Sequence, residues 1–325
     1  MAGRSGRVAP FGWPRPVAPF RAALDDLYRR FERRADVADP VRVAARWSDP
    51  ADREVAAFCA AALAFGRVSS VLASLDALLA VLGPRPARFV RDFEPRRHAS
   101  TLAALGHRWA RGEDLAALLL VLRHMLREHG SIEACFAAGL APGAPDVTGA
   151  LEVFSRRALE VDVAEAYRPR RRAASSRRAS PRRIARRPGV AFFFPRPSAG
   201  SACKRLNLFL RWMVRRDAVD PGGWTAVSPS QLIVPLDVHV VRVGRCLGLT
   251  RYRSPGWRMA AEITASLRRL DAADPVKYDF ALCHLGMLNA CGFGRTAGDA
   301  ACPLRGFCRP GARRPRASPP PSDRR

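Results

Sequence analysis

Apolar positions recur along this chain with helical spacing. Within 20–31, Leu24, Leu27, Tyr28 and Phe31 stand at i, i+3, i+4 and i+7, which predicts an amphipathic helix. Asp49-Pro50 is a helix-start signal, and the apolar stretch behind it predicts a helix over 52–65 that Gly66 stops. The same reading predicts helices over 68–82, 102–111, 114–128, 147–167, 202–216, 238–247, 255–270 and 275–288. No run alternates with period two for long enough to demand a sheet. The pattern therefore predicts an all-α protein with two helical lobes, 18–167 and 191–290, sharing a cleft. The longest uncharged apolar run, 55–65, has 11 residues. A membrane span needs roughly 20, so no membrane partner is expected.

Composition narrows the class. The chain has 325 residues, 48% apolar and 26% charged, enough to bury a sizeable core in one large domain or two smaller ones. Charge is the outlier: 55 Lys+Arg against 29 Asp+Glu give +26 and a pI near 11.4. Such a balance points to a polyanion, nucleic acid before an anionic surface. Part of it sits in low-complexity sequence. Segment 168–187 holds ten arginines and no acid, and the tail 309–325 holds six arginines against one aspartate. With the Pro/Arg-rich start 1–17, the insert 168–190 and that tail are expected to be disordered arms. They act either as solvated linkers or as non-specific phosphate contacts. Eight cysteines in this length are too few for a disulfide scaffold. With no signal-type apolar stretch at the start, a reducing cytoplasm is expected.

Candidate chemistry begins with an amine count. Of the 55 basic residues only Lys204 and Lys277 are lysines. Arginine replaces lysine wherever a positive charge suffices, but not where a nucleophilic amine is needed. The stretch Pro197-Ser198-Ala199-Gly200 reads as a tight turn, with Ser201 as N-cap of the next helix. Amides at that helix start are expected to hold a phosphate, which makes Gly200, Ser201 and the adjacent Arg205 DNA-binding candidates. Lys204 falls in the first helical turn, where the positive end of the helix dipole eases deprotonation. Downstream, an apolar Leu-Ile-Val-Pro-Leu run delivers Asp237 to the junction of the lobes. An amine that attacks a sugar C1′ and a carboxylate that balances the cationic sugar suit glycosidic chemistry on DNA.

Two resemblances attach to these residues. Leu236-Asp237-Val238-His239-Val240-Val241-Arg242-Val243, closing in Leu247-Gly248-Leu249, resembles the aspartate motif of helix-hairpin-helix base-excision DNA glycosylases. The 33-residue separation of Lys204 from Asp237 resembles that of the archaeal 8-oxoguanine glycosylases. In that comparison 217–230, with Pro221-Gly222-Gly223-Trp224, is an extra loop, and the usual Leu-Pro-Gly-Val-Gly hairpin is missing. The resemblance implies a glycosylase fold, Lys204 and Asp237 as catalytic residues, an optional lyase step and a damaged base in double-stranded DNA, with an oxidised purine the first guess. The protein would be a nucleoid-associated monomer. More of the chain, over roughly 20–165 and 192–290, resembles an uncharacterised prokaryotic family of unknown function. Glu54-Val55-Ala56-Ala57-Phe58, Leu63-Ala64-Phe65-Gly66, the stretch 200–212 and Pro275-Val276-Lys277-Tyr278-Asp279-Phe280 carry that second resemblance.

Other residues are weaker candidates. His239 and Arg242 share a side of the Asp237 helix and are accessory candidates, a proton shuttle and a phosphate contact. Arg67, beside Gly66 between two helices, stands where the superfamily wedges a residue into the gap left by a flipped base. Trp212, two turns after Lys204, is expected to line a base pocket or to pack in the core. Cys302 to Cys308 resembles the end of an iron–sulfur loop, with Asp299 where one thiolate belongs. Cys283, Cys291, Cys302 and Cys308 are thus candidate ligands of a [4Fe–4S] cluster or zinc within a loop over 291–308, against an empty loop. The chemistry itself requires no cofactor. The competing class is a non-catalytic DNA- or RNA-binding protein on the same scaffold, and beyond it an arginine-rich helical interaction module.

Overall fold

The structure is a computed structural model that describes residues 17–32, 39–168, 189–287 and 302–308. The arms 1–16 and 309–325, the arginine-rich insert 169–188 and Cys291 lie outside the described residues. Among the described residues there are fourteen α-helices and one two-stranded antiparallel ribbon, in which Gly106 pairs with Arg111 and His107 with Ala110. The all-α expectation stands. No helix among them is long and apolar enough to cross a membrane.

Where periodicity was strong, the elements match it. Helix α1 (Val17–Glu32) buries Phe20, Leu24, Leu27 and Phe31. Helices α2 (Val41–Ala44) and α3 (Pro50–Ala62) follow. Asp49 caps α3 through its side chain, which accepts from the Asp52 amide at 2.9 Å. Helix α4 (Val68–Leu82) has the predicted bounds, and α5 (Pro86–Arg91) and α6 (Pro95–Ala103) come next. The predicted helix 102–111 does not form. Arg108 sits in the left-handed region at φ 56°. Its neighbour His107 is buried, with ring nitrogens 3.0 Å from Ser74 Oγ and 2.6 Å from Phe65 O. A buried imidazole satisfied by two distant partners outweighs the local helical preference.

Helices α7 (Gly112–Glu128), α8 (Ile132–Ala137), α9 (Thr148–Glu160) and α10 (Ala164–Tyr167) continue the chain. The predicted helix 147–167 is broken because Val161 turns extended and the Asp162 carboxylate takes the Ala164 amide at 2.9 Å. That local bond competes with the helical ladder. Beyond the insert lie α11 (Lys204–Val214), α12 (Val238–Cys246), α13 (Trp257–Arg268) and α14 (Asp279–Met287).

Buried apolar side chains form one continuous cluster from Phe20 to Leu304, spanning both predicted lobes. Helix α11 packs on α3, and α12 packs on α14. Segment 217–230 is a structural plug as much as a loop. Trp224 Nε1 donates to Glu54 Oε1 at 2.8 Å. The same Glu54 accepts the Ile132 and Glu133 amides at 2.8 and 2.7 Å, so one buried carboxylate from α3 caps α8 and anchors the plug.

Candidate active site in the cleft

A cleft of about 670 Å³ opens where the loop after α3 meets α11, α12 and α14. Lys204, Trp212, Asp237, His239 and Arg242 all line it, together with Phe65, Gly66, Asp279, Phe280, Cys283 and His284. Residues named from separate stretches of sequence thus converge on one cavity.

Lys204 is the first residue of α11. Its Nζ donates to Ala64 O at 3.4 Å, and among the described residues it makes no ion pair. The turn before it differs from the expected one. Cys203, not Ser201, is the N-cap, held at φ 48°. Ser201 Oγ accepts the Cys203 amide at 3.1 Å, and the Gly200 amide donates to Pro197 O at 2.9 Å. The Gly200 and Cys203 amides are thus engaged within the turn. Gly200 itself is left-handed at φ 78°. Its carbonyl receives the Trp257 amide at 3.2 Å, tying the turn to α13.

Arg205 is also placed differently. Its guanidinium lies 3.4 Å from the centre of the Phe192 ring and donates to Phe192 O. Burial lowers its pKa to about 9. The guanidinium is thus stacked against Phe192 at one end of α11. Arg67 is exposed at the start of α4, between the cleft-lining Gly66 and Val68.

Asp237 caps α12. Its Oδ1 accepts the His239 and Val240 amides at 2.9 and 2.8 Å, while the Cys283 thiol donates to Oδ2 at 3.0 Å. Burial, then the neighbouring Asp237 charge, push the Cys283 thiol well above its ordinary pKa, so it stays a donor. The contact depends on Gly286, where a Cβ would stand 2.8 Å from the His239 Cβ. Only glycine lets α14 come this close to α12. Val238 beside Asp237 is 68% exposed, an apolar side chain at the mouth of the cleft.

Behind the cleft lies a sealed ionic cluster. Arg211 Nη1 donates to Asp279 Oδ2 at 2.6 Å, and its Nε and Nη2 grip Asp220 at 3.1 and 2.9 Å. Arg215 bonds the same Asp220 and reaches Asp274 at 2.9 Å. Burial opposes the charge on Arg211, but Asp220 and Asp279 outweigh it and raise its pKa. Sequence reasoning gave Arg211, Asp279 and His284 no role. Their types suggest chemistry, but nothing local signals their burial.

Lys277, the second lysine, is no free amine. Its Nζ pairs with Asp271 at 2.7 Å and Asp25 at 3.1 Å. The described C-terminal cysteines occupy separate surroundings. Cys283 faces Asp237 in the cleft, while Cys302 is buried in the segment whose Phe307 packs on Phe20 at 5.2 Å. Among the described residues no group of three or more His, Cys, Asp or Glu could hold a metal ion, and Cys291 lies outside them.

No curated protein and no solved structure matches the chain. A family model does match, over residues 39–288, from just before α2 to the end of α14. Those residues include every element around the cleft. The chain belongs to the family described as Protein of unknown function (DUF2400).

Proposed function

We propose that the protein is a DNA base-excision glycosylase of helix-hairpin-helix type, acting on a damaged base flipped from double-stranded DNA into this cleft. The observation that carries the reading is the convergence of Lys204 and Asp237 on one cavity. Among the described residues no carboxylate pairs with Lys204, whereas two pair with Lys277. In the reaction, the Lys204 amine attacks the sugar C1′ as the C1′–N bond breaks. The base departs with the bonding pair and takes up a proton. Asp237 offsets the positive charge that develops on the sugar, its carboxylate held by two amides and a thiol. Opening of the sugar ring then gives a Schiff base on Lys204, from which strand cleavage follows.

Arg67 and Arg242, both exposed at the cleft, supply phosphate or wedge contacts. The net charge of +26 suits a duplex partner and association with the nucleoid.

Borohydride trapping on strands carrying oxidised, deaminated or abasic sites tests the proposal. Wild-type protein should form a covalent adduct with at least one of them. Lys204→Gln should abolish it with little loss of DNA binding, and Asp237→Asn should slow base release by at least about 10²-fold. Absence of any adduct with wild-type protein would leave a nucleic-acid-binding protein on this scaffold.

A further inference from the structure

Between Asp237 and Glu262 the chain carries five arginines and no acidic residue, a net of +5. The stretch comprises α12, the loop after it and the start of α13, and all five arginines are exposed. Elsewhere on the surface, exposed arginines are answered by carboxylates. Arg30 pairs with Asp26 at 2.6 Å, Arg46 with Asp76 at 2.7 Å and Arg156 with Glu160 at 3.6 Å. On this face Arg251 pairs with Glu262 at 3.1 Å, whereas Arg245, Arg253 and Arg258 have no carboxylate partner among the described residues. Like charges gathered without counter-charges repel one another and cost the compact state stability. A bound polyanion removes that cost.

The fold holds this face in a fixed shape. Helix α12 buries Val240, Val243, Gly244 and Cys246. Val238, Arg242 and Arg245, at i, i+4 and i+7, therefore face outward along one line. The line starts beside Asp237 at the cleft mouth and runs about 10 Å along the helix. The loop that follows is pinned from below by the buried Glu262, which accepts the Thr250 hydroxyl at 2.7 Å and the Arg251 amide at 2.8 Å. Ser266 Oγ adds a bond to Leu249 O at 2.8 Å. The Trp257 amide then bonds Gly200 O, which sets the start of α13, with Arg258, beside the turn leading to Lys204. A loop already fixed in this way loses little freedom when it binds.

Guanidiniums in series, each a planar fork of donors, match the oxygens of a phosphodiester chain. A face that lies on a membrane needs apolar area to insert, and 238–261 exposes a single large apolar side chain, Val238. The face is continuous with the cleft, because Arg242 and Pro255 belong to both.

We propose that this face, through Arg245, Arg253 and Arg258, docks the phosphate backbone of double-stranded DNA beside the cleft. The placement of the phosphates rests on the unpaired arginines, whereas the choice of duplex DNA as their source rests on the glycosylase reading.

Binding of the full chain to an undamaged duplex of about 20 base pairs, followed by fluorescence anisotropy over a salt series, tests it. The triple variant Arg245→Gln, Arg253→Gln, Arg258→Gln should bind at least about tenfold more weakly near about 0.1 M salt, and the slope of log K against log salt should flatten by about 2–3. The control triple Arg30→Gln, Arg46→Gln, Arg156→Gln removes the same charge from arginines that carboxylates already neutralise, and should change the slope by less than about 1. Phenylglyoxal labelling of the wild type, read by mass spectrometry, needs no variant to fold. The duplex should protect Arg245, Arg253 and Arg258 and leave Arg30, Arg46 and Arg156 reactive. Equal losses in the two triples, an unchanged slope, absence of protection, or tighter binding to duplex RNA or to phosphatidylserine vesicles than to DNA would overturn the proposal. Borohydride trapping reports on Lys204 separately. An adduct from a protein whose face the duplex does not protect sinks the docking face and spares the glycosylase reading, while a protected face without any adduct does the reverse.

Discussion

The two ends of α11 carry cations in opposite circumstances. At its C-terminal end Arg211 and Arg215 are 3% and 4% exposed and share Asp220, which is fully buried. At its N-terminal end Lys204 faces the cleft with only a carbonyl at 3.4 Å. The paired end gains rigidity, because each guanidinium is fixed by two or more carboxylates. At the other end the Lys204 amine makes no ion pair among the described residues. The difference separates paired cations from an unpaired one facing the cleft, the one to which we assign chemistry. The paired end also reaches the cleft, since Arg211 holds Asp279 at its wall.

Breaking the sealed end should have the largest effect. Asp220→Ala would leave two buried guanidiniums short of the carboxylate they share. We expect a loss of about 3–5 kcal/mol in urea denaturation, the range seen when one partner leaves a buried ion pair. A loss below about 1 kcal/mol would show that Asp274 and Asp279 suffice, and that the cluster is not the rigid frame described here.

How much of this was legible in the sequence follows from the same contrast. Helices α1 and α4 were readable because their apolar stripes repeat over three turns or more. Lys204 and Asp237, which line one cleft, drew notice in the sequence because lysine is rare here and the aspartate heads an amphipathic helix. The packing of Arg205 was not readable, because an arginine-rich sequence says nothing about which guanidinium lies on a ring such as Phe192. Asp279 and His284 were missed for a related reason, since their burial at the cleft wall is set by distant groups. The ribbon at 106–111 replaced a predicted helix because His107 found its partners on Ser74 and Phe65, 33 and 42 residues away.

A mid-sized effect should follow from crowding the open end. Gly286→Ala would place a Cβ 2.8 Å from that of His239 and push α12 off α14. Overpacking of this kind costs about 1–3 kcal/mol. Because Cys283 and Asp237 face each other across the same contact, adduct formation on a lesion strand should slow as well. Gly149 in α9, where a Cβ meets nothing within 4 Å, is the control. Gly149→Ala should leave trapping unchanged and be neutral or slightly stabilising. If Gly286→Ala lowers stability but not the trapping rate, the approach of the two helices does not govern Asp237.

The smallest effect sharpens the contrast between the two lysines. Lys277 is 17% exposed and bridges Asp25 and Asp271, linking α1 to the segment before α14. Burial alone would raise the pKa of both carboxylates. Hydrogen bonds from Tyr278 and Lys277 overcome it at Asp25, and the Lys277 bond overcomes it at Asp271, so both lie below the ordinary value. A depressed carboxyl contributes stability that is present above its unfolded pKa, about 4, and is lost as pH falls through the folded value. Lys277→Gln should therefore cost about 1 kcal/mol at pH 7, a partly buried pair gaining little more than a surface one. The gap between wild type and variant should close as pH falls below about 4, when both carboxylates protonate. Lys204→Gln should show no such pH-dependent cost, because no carboxylate is paired with it among the described residues. Trapping should invert the order, surviving Lys277→Gln and failing with Lys204→Gln. Paired denaturation curves at pH 7 and pH 3, set beside the trapping assay, separate the two roles. A Lys277 variant that matches wild type in stability at both pH values would remove the structural role assigned to that lysine and reopen it as a nucleophile.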